Sequence, residues 1–223
     1  MKRKLKCYLA YTTLTYRILG VVLIPCAFWL LCVAALWSKY GGIMGAVQPD
    51  SAGNYTFYIW LCMYMVFYEI YTDYWVLGGC FSDAGKGLRY FRTSCRGEEV
   101  IRNIAAVDLL RRFLYCMIFS GIIFLFTGWE AVIVAGLVMY CVIVGVLNGS
   151  RHYDGLQRSS GIAILSQVVL ALINTLNIIL LDLAEGRKAV MLTGLILLYG
   201  VLAFCFSRLM VRRIAIRIRG GKD

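Results

Sequence analysis

The stretch FYIWLCMYMVFYEIYTDYWVLG, residues 57–78, is a run of apolar and aromatic side chains interrupted by only two charged groups, Glu69 and Asp73. A helix that crosses a hydrocarbon layer of ~30 Å needs about 20 mostly apolar residues, and this run has that length. The whole chain of 223 residues is 61% hydrophobic, and its apolar residues come in long blocks. The sequence therefore predicts an integral membrane protein.

Blocks of comparable length recur along the chain and predict six transmembrane helices, at residues 18–37, 55–77, 113–127, 131–147, 162–181 and 189–206. The third and fourth are short and are separated only by residues 128–130, which predicts a tight hairpin. The predicted fold class is an all-α integral membrane protein that forms a single transmembrane domain over residues 1–223. Its parts are a basic, amphipathic N-terminal segment (1–17), two spans (18–78), a cytoplasmic helical elbow (79–112), four spans (113–206) and a basic tail (207–223).

The basic residues indicate the orientation of the chain. If both termini are cytoplasmic, all but three of the 23 Lys and Arg residues fall on the inner side, and only Lys39, Arg187 and Lys188 lie outside. This asymmetry is what the positive-inside rule predicts. The net charge of +11 is therefore interpreted as a topology signal and a match to anionic lipids, not as a nucleic-acid surface.

The N-terminal segment, residues 1–17, has two interpretations. Its cations precede Leu5, Leu9, Thr12 and Tyr16, which share one helical stripe and favour a helix along the inner membrane surface. Alternatively, the cations only orient the first span.

The elbow contains GEEVIRNIAAVDLLRRFL, residues 97–114, whose apolar residues recur at helical spacing at Val100, Ile104, Val107 and 110–114. Glu98 and Glu99 lie near the start of this predicted helix, where carboxylates stabilise the positive end of the helix dipole. The tail fits a helix with Val211, Ile214, Ala215 and Ile218 on one face, but its IAIRIR stretch also fits the alternation of a strand.

Glu69 and Asp73 are four residues apart and share one helix face, together with nearby tyrosines that include Tyr64 and Tyr68. Placing a charge at the centre of a spanning helix costs roughly 2.5–3.5 kcal/mol, so Glu69 is expected to face protein or water. In one interpretation, Glu69 lines a substrate path or a subunit interface. In the other, it is protonated or pairs with a base such as Arg111 and fixes helix packing. Asp73 also fits an interfacial residue at the inner helix end.

A second polar group lies in the fifth predicted span and consists of Gln167, Asn174 and Asn177. Interhelical hydrogen bonds between such side chains contribute roughly 0.6–2 kcal/mol each. The preferred interpretation is adhesion between helices, and the alternative is a polar conduit.

Nothing in the sequence predicts catalysis, and neither a catalytic residue nor a metal site is expected. The single histidine, His152, lies in a short inner turn without a nucleophile or metal companion. No phosphate-binding GxxxxGK[ST] motif occurs, and the nine cysteines include no CxxC pair. The chain is therefore predicted not to be an enzyme and to have no cofactor of its own.

This layout resembles the membrane subunits of bacterial ABC exporters of the type-2 permease class. Small permeases of that class carry a stretch like L-P-x-S-R-x-E-I-V before their third span. In RTSCRGEEVIRNIAAVDLLRRFL, residues 92–114, Arg96, Glu98 and Val100 match its basic, acidic and apolar positions. Thr93 replaces the proline and Cys95 replaces the serine.

The resemblance implies a multi-pass permease in the bacterial cytoplasmic membrane. Its partners would be a cytosolic ABC ATPase dimer, which binds ATP and Mg, and a second permease copy or a related permease. The elbow would transmit ATPase closure to the spans, with Arg89, Arg92, Arg96, Glu98 and Glu99 as coupling candidates. An amphipathic or peptide-like cargo is preferred.

Two other classes remain open at the level of the sequence. One is the substrate-binding membrane subunit of a vitamin or small-molecule uptake transporter, which fits the long inner elbow poorly. The other is a membrane-embedded enzyme or a non-catalytic assembly or immunity factor.

Overall fold

The computed structural model describes residues 2–23, 26–27, 30, 52–73, 94–127, 129–150, 160–184 and 186–218. Its α-helices are α1 (Lys2–Tyr11), α2 (Ala52–Asp73), α3 (Gly97–Thr127), α4 (Ala131–Ser150), α5 (Ser160–Leu183) and α6 (Lys188–Ile218). A π-helical segment, Tyr16–Leu23, follows α1. Because this part of the chain contains helices and no strand, the predicted all-α class is confirmed for it.

Three helices of the described residues are long and apolar enough to cross a membrane, namely α4, α5 and α6. In α2, the apolar segment Leu61–Ile70 is shorter, and Glu69 lies within it. The predicted third span forms the second half of α3. Most of the predicted first span, residues 18–37, lies outside the described residues. The membrane character of the chain is therefore supported, whereas the number of six spans stays a prediction.

Helix α4 is the centre of the bundle and contacts α2, α3, α5 and α6. In α4, 78% of the residues in the apolar stretch Ala131–Asn148 are buried. The corresponding shares of the apolar stretches in α5 and α6 are 28% and 11%. The sequence of α4 is apolar all round, which is typical of a helix enclosed by others. Helices α5 and α6 expose several large apolar side chains on the outside of the bundle, among them Leu172, Leu197 and Phe204.

The predicted hairpin between the third and fourth spans is confirmed, since α3 ends at Thr127 and α4 begins at Ala131. The two helices approach closely at Gly136. A Cβ atom added there would lie 2.5 Å from Oγ and 2.9 Å from Cβ of Ser120. Small residues at a helix contact allow such an approach between membrane helices.

Helix α3 runs without a break from the predicted elbow into the predicted third span, as the sequence indicated. Its 31 residues correspond to about 46 Å, which exceeds the ~30 Å of hydrocarbon. Of the apolar residues at helical spacing in the sequence, Ile104 is buried, and Val100 and Val107 are half-buried against the core. Ile101, Ile104 and Leu109 are buried, whereas Leu110 and Leu114 are exposed. The reason is that the buried face of α3 includes charged residues, which a count of apolar residues places outside.

The described part of the tail is helical, because α6 continues to Ile218. Met210 and Ile214, one turn apart, are buried and hold this extension against the bundle. The side chain of Arg213 donates to the carbonyl oxygen of Asn148 at 3.2 Å, near the C-terminal end of α4, where a cation is favoured. The helical alternative is therefore confirmed and the strand alternative is wrong.

The predicted N-terminal stripe was also partly wrong. Thr12 and Tyr16 are buried, but Leu5 and Leu9 are exposed. The helix α1 ends at Tyr11, and the chain bends before the π-helical segment, so the four residues do not share one continuous face. Tyr8 of α1 is buried in the bundle, and Cys7 and Tyr11 are partly buried against the same core.

Candidate functional site

Glu69 is completely buried and forms an ion pair with Arg111, which joins α2 to α3. The two terminal nitrogens of Arg111 donate to the two carboxylate oxygens of Glu69 at 3.0 and 2.8 Å. This parallel, two-bond arrangement is the strongest and most directional form of an arginine–carboxylate contact. The pairing required by the packing interpretation of Glu69 is therefore present.

Arg112 binds the same residue from the next position of α3. Its Nη1 donates to Oε2 of Glu69 at 2.8 Å and to the backbone oxygen of Glu69 at 2.6 Å. Its Nε donates to Oδ2 of Asp108 at 2.8 Å, and Nε of Arg111 lies 3.4 Å from Oδ1 of Asp108. We call Glu69, Asp108, Arg111 and Arg112 the charge tetrad.

The spacing of the sequence explains how α3 supplies three of these side chains. Asp108 precedes Arg111 by three residues and Arg112 by four, so the carboxylate lies beside both guanidinium groups on one helix face. Thr72, one turn after Glu69, donates its hydroxyl to the backbone oxygen of Glu69 at 3.1 Å. The tetrad thus occupies the contact between α2 and α3.

The tetrad contains two carboxylates and two guanidinium groups, so its formal charge is zero. The side chains of Glu69, Asp108 and Arg112 are fully buried, and that of Arg111 is 14% exposed. Removing such charges from water is costly, and only good geometry and complete hydrogen bonding offset the penalty. Loss of any one member would leave an uncompensated buried charge.

Buried tyrosines from three segments surround the tetrad. Tyr8 of α1 and Tyr16 of the π-helical segment are buried close to Asp108 and Arg111. Burial raises the pKa of the Tyr8 hydroxyl, and the neighbouring Asp108 carboxylate raises it further. This hydroxyl therefore stays protonated and neutral, so Tyr8 adds no charge to the electroneutral cluster.

Tyr64 and Tyr68, both predicted site residues, lie on the same helix as Glu69. Their rings are stacked with centroids 6.3 Å apart. The hydroxyl of Tyr68 donates to the backbone oxygen of Gly20 and thereby ties α2 to the π-helical segment. This hydrogen bond holds the N-terminal region against the helix that carries Glu69.

Of the predicted coupling residues, Arg89 and Arg92 lie outside the described residues. Arg96 is exposed immediately before α3. Glu98 and Glu99 occupy the first turn of α3, as predicted, and form ion pairs with Arg102 at 3.9 Å and with Arg3 at 3.3 Å. Asp73 ends α2, and its side chain lies outside the described part of the structure.

The predicted amide group of α5 is separate from these contacts. Asn174 and Asn177 are buried and Gln167 is half-buried. Asn177 accepts a hydrogen bond from the hydroxyl of Tyr199 in α6 at 3.0 Å, which is the contact expected for adhesion between helices. The amide groups of Gln167 and Asn174 form no hydrogen bond with the described part of the chain.

We expect Asn177→Ala and Tyr199→Phe to lower the free energy of unfolding by about 0.6 kcal/mol each through loss of this hydrogen bond, because interhelical bonds of this kind have that average strength. Equilibrium unfolding of the purified protein in mixed detergent micelles measures the change. If the bond joins α5 to α6, the double variant loses less than the sum of the single losses. Strict additivity of the two losses would contradict the contact.

Sequence reasoning missed Asp108, Arg112 and Tyr8 as members of the site. The available signal was the i, i+3 and i, i+4 spacing of Asp108 to Arg111 and Arg112 within an otherwise apolar helical pattern. Three charges placed among apolar residues at that spacing indicate a buried network when the opposite charge, Glu69, lies in a neighbouring span. The sequence does not show which helix supplies that partner.

Comparison of the chain with protein-family models, curated proteins and solved structures finds no match.

Proposed function

We propose that this chain is the membrane-spanning permease subunit of an ATP-binding cassette exporter, with six spans and both termini in the bacterial cytoplasm. The observation that carries the proposal is the charge tetrad, which joins α2 to α3. These two helices flank residues 74–96, the connection to which the resemblance assigns ATPase coupling. A partner that displaces this connection would move α2 and α3 as one body, because the tetrad resists their separation.

In this proposal, the continuous helix α3 carries the displacement from the elbow into the membrane. Its first turn is held to α1 by the Arg3–Glu99 ion pair, and its middle is held to α2 by the tetrad. ATP binding and hydrolysis take place in the partner ATPase dimer, and a second permease copy or a related permease completes the path. The cargo would be amphipathic or peptide-like.

We assign Glu69 to this mechanical link and not to direct contact with cargo. Its carboxylate is fully buried, and each of its oxygens accepts a hydrogen bond from a guanidinium group. To bind a cationic substrate, the carboxylate would have to give up its hydrogen bonds to Arg111 and Arg112 and leave these two guanidinium groups without it. A role for Glu69 in coupling needs no such exchange.

The first test is purification of the tagged chain from its native membrane in mild detergent, followed by mass spectrometry of the proteins that copurify. We expect a P-loop ATPase in stoichiometric amount. Arg96→Glu should lower its recovery about tenfold, corresponding to about 1.4 kcal/mol, because Arg96 is exposed beside the elbow and the change reverses its charge.

Arg187→Glu is the matched control, since Arg187 is equally exposed but lies in the predicted outer turn between α5 and α6. It should leave the ATPase recovery unchanged. Purification of the chain alone, or with an unrelated integral protein, would contradict the permease assignment. Equal loss of ATPase in both variants would contradict docking at the elbow.

A further inference from the structure

Three buried tyrosine hydroxyls beside the charge tetrad have no partner among the described residues. Tyr8 of α1 and Tyr16 of the π-helical segment are 5% and 4% exposed. Tyr115 belongs to α3 and follows Arg111 by one turn. The hydroxyl oxygen of each is buried and forms no hydrogen bond with the part of the chain that the structure describes. Because buried tyrosine hydroxyls usually have a partner, each of these three requires an explanation.

The tetrad is the common neighbour of these hydroxyls. Tyr8 and Tyr16 lie beside Asp108, and Tyr115 lies beside Glu69. The three tyrosines belong to three separate segments of the chain, so the local hydrogen bonding of one helix does not account for them. Leaving a buried hydroxyl unpaired is costly, and here the cost would be repeated three times around one group of charges.

The tetrad retains capacity for further hydrogen bonds. Oε1 of Glu69 accepts a bond from Nη1 of Arg111 at 3.0 Å, and a carboxylate oxygen has room for a second donor. Nε of Arg111 is 3.4 Å from Oδ1 of Asp108, which is long for a charged pair. Arg111 is also the member that is not fully buried, since 14% of its side chain is exposed. The cluster therefore reaches the protein surface at this arginine.

We propose that the charge tetrad is a water-binding site, in which ordered water molecules join the hydroxyls of Tyr8, Tyr16 and Tyr115 to the ionic groups. Water is small enough to enter beside the exposed guanidinium group, and it both donates and accepts hydrogen bonds. A buried water molecule typically has about three polar partners, which two hydroxyls and a carboxylate would supply at Asp108. At Glu69, the partners would be the Tyr115 hydroxyl and the second lone pair of Oε1.

Bound water has two consequences for the cluster. It lowers the cost of burying four charges, because water that penetrates an ion cluster restores part of the hydration. It also links α1 and the π-helical segment to α3 without displacing an ion pair, so the N-terminal segments can move over the tetrad while its charges stay paired. This inference goes beyond the proposed function and holds whether or not the chain works with an ATPase.

Water-edited solid-state NMR of the full chain in lipid vesicles, with tyrosine isotope-labelled at Cζ, tests the inference. We expect magnetisation to pass from water to Tyr8 and Tyr16 at mixing times too short for it to reach Tyr140. Tyr140 is the matched control, because it is also 4% exposed but its hydroxyl is paired directly with that of Ser207 at 2.7 Å. The variants Tyr8→Phe and Tyr16→Phe assign the two signals. Equal transfer to all three tyrosines, or no transfer to Tyr8 and Tyr16, would overturn the inference.

Equilibrium unfolding of the same variants in mixed detergent micelles gives an independent readout. Tyr16→Phe should shift the unfolding equilibrium about fivefold towards the unfolded state, because the hydrogen bonds of its hydroxyl to water are lost. If the hydroxyl were dry, the change would remove an unpaired polar group and stabilise the protein. Tyr140→Phe loses a direct hydrogen bond and should show a comparable loss, which calibrates the measurement.

Two results of the unfolding experiment would contradict bound water. One is a Tyr16→Phe protein as stable as the wild type or more stable. The other is a loss of stability without transfer of magnetisation from water, which would indicate a direct contact of the hydroxyl with the protein.

Discussion

Arg112→Met is expected to lower the free energy of unfolding by about 3–5 kcal/mol, the largest loss of any substitution considered for this protein. The substitution removes one guanidinium group from a neutral, fully buried cluster and leaves two carboxylates with one base. Equilibrium unfolding in mixed detergent micelles measures the loss. Where the variant fails to accumulate, its yield of monodisperse protein relative to the wild type provides the readout.

Two comparisons make this result specific. Arg102→Met, on an exposed face of the same helix, removes an ion pair with Glu98 and should cost less than 1 kcal/mol. The double variant Asp108→Leu/Arg112→Met removes one charge of each sign and should recover most of the stability, because the remaining Glu69–Arg111 pair is again neutral. An Arg112→Met protein as stable as Arg102→Met would contradict a buried tetrad.

Gly136→Ala is expected to lower the free energy of unfolding by about 1–3 kcal/mol, the range for overpacking a tight contact. The added methyl group would lie 2.5 Å from Oγ and 2.9 Å from Cβ of Ser120, so α3 and α4 must separate to admit it. The helix propensity of alanine, which exceeds that of glycine by about 1 kcal/mol in water, opposes this loss and does not cancel it. Thermal unfolding in detergent measures the difference.

Gly200→Ala is the matched control, since nothing lies within 4 Å of a Cβ added there. It should be neutral or stabilising. Combining Gly136→Ala with Ser120→Gly moves the small residue to the other side of the contact and should recover part of the loss. The close approach of α3 and α4 would be wrong if Gly136→Ala and Gly200→Ala had equal stability.

The helices themselves were largely predictable from the sequence, because apolar runs bounded by loop residues mark their positions. The predicted spans at 131–147, 162–181 and 189–206 fall within α4, α5 and α6. The continuous helix from Gly97 into the predicted third span was predictable for the same reason, since its acidic first turn and helical periodicity agree. These are local properties, and the sequence carries them directly.

The site was less predictable, because its contacts join residues that are far apart in the chain. The sequence named Glu69 and suggested Arg111 as a partner, but the buried positions of Asp108 and Arg112 contradict the rule that charged residues lie outside. The burial of Arg112 depends on Glu69, 43 residues away, and the burial of Asp108 depends on its two arginine neighbours. Likewise, the bend after Tyr11 changes which residues of α1 face the bundle, and periodicity alone does not reveal a bend.

The charge tetrad has a consequence for the synthesis of the chain. In the proposed arrangement, α2 leaves the ribosome before α3, so Glu69 reaches the membrane without Arg111 or Arg112. A lone carboxylate within a spanning helix opposes insertion by roughly 2.5–3.5 kcal/mol, and two lone arginines in α3 would oppose it as well. Each helix thus carries charges that neutralise those of the other and lower its free-energy cost of insertion. In this arrangement, α2 is expected to be more stable in the bilayer once α3 has been made.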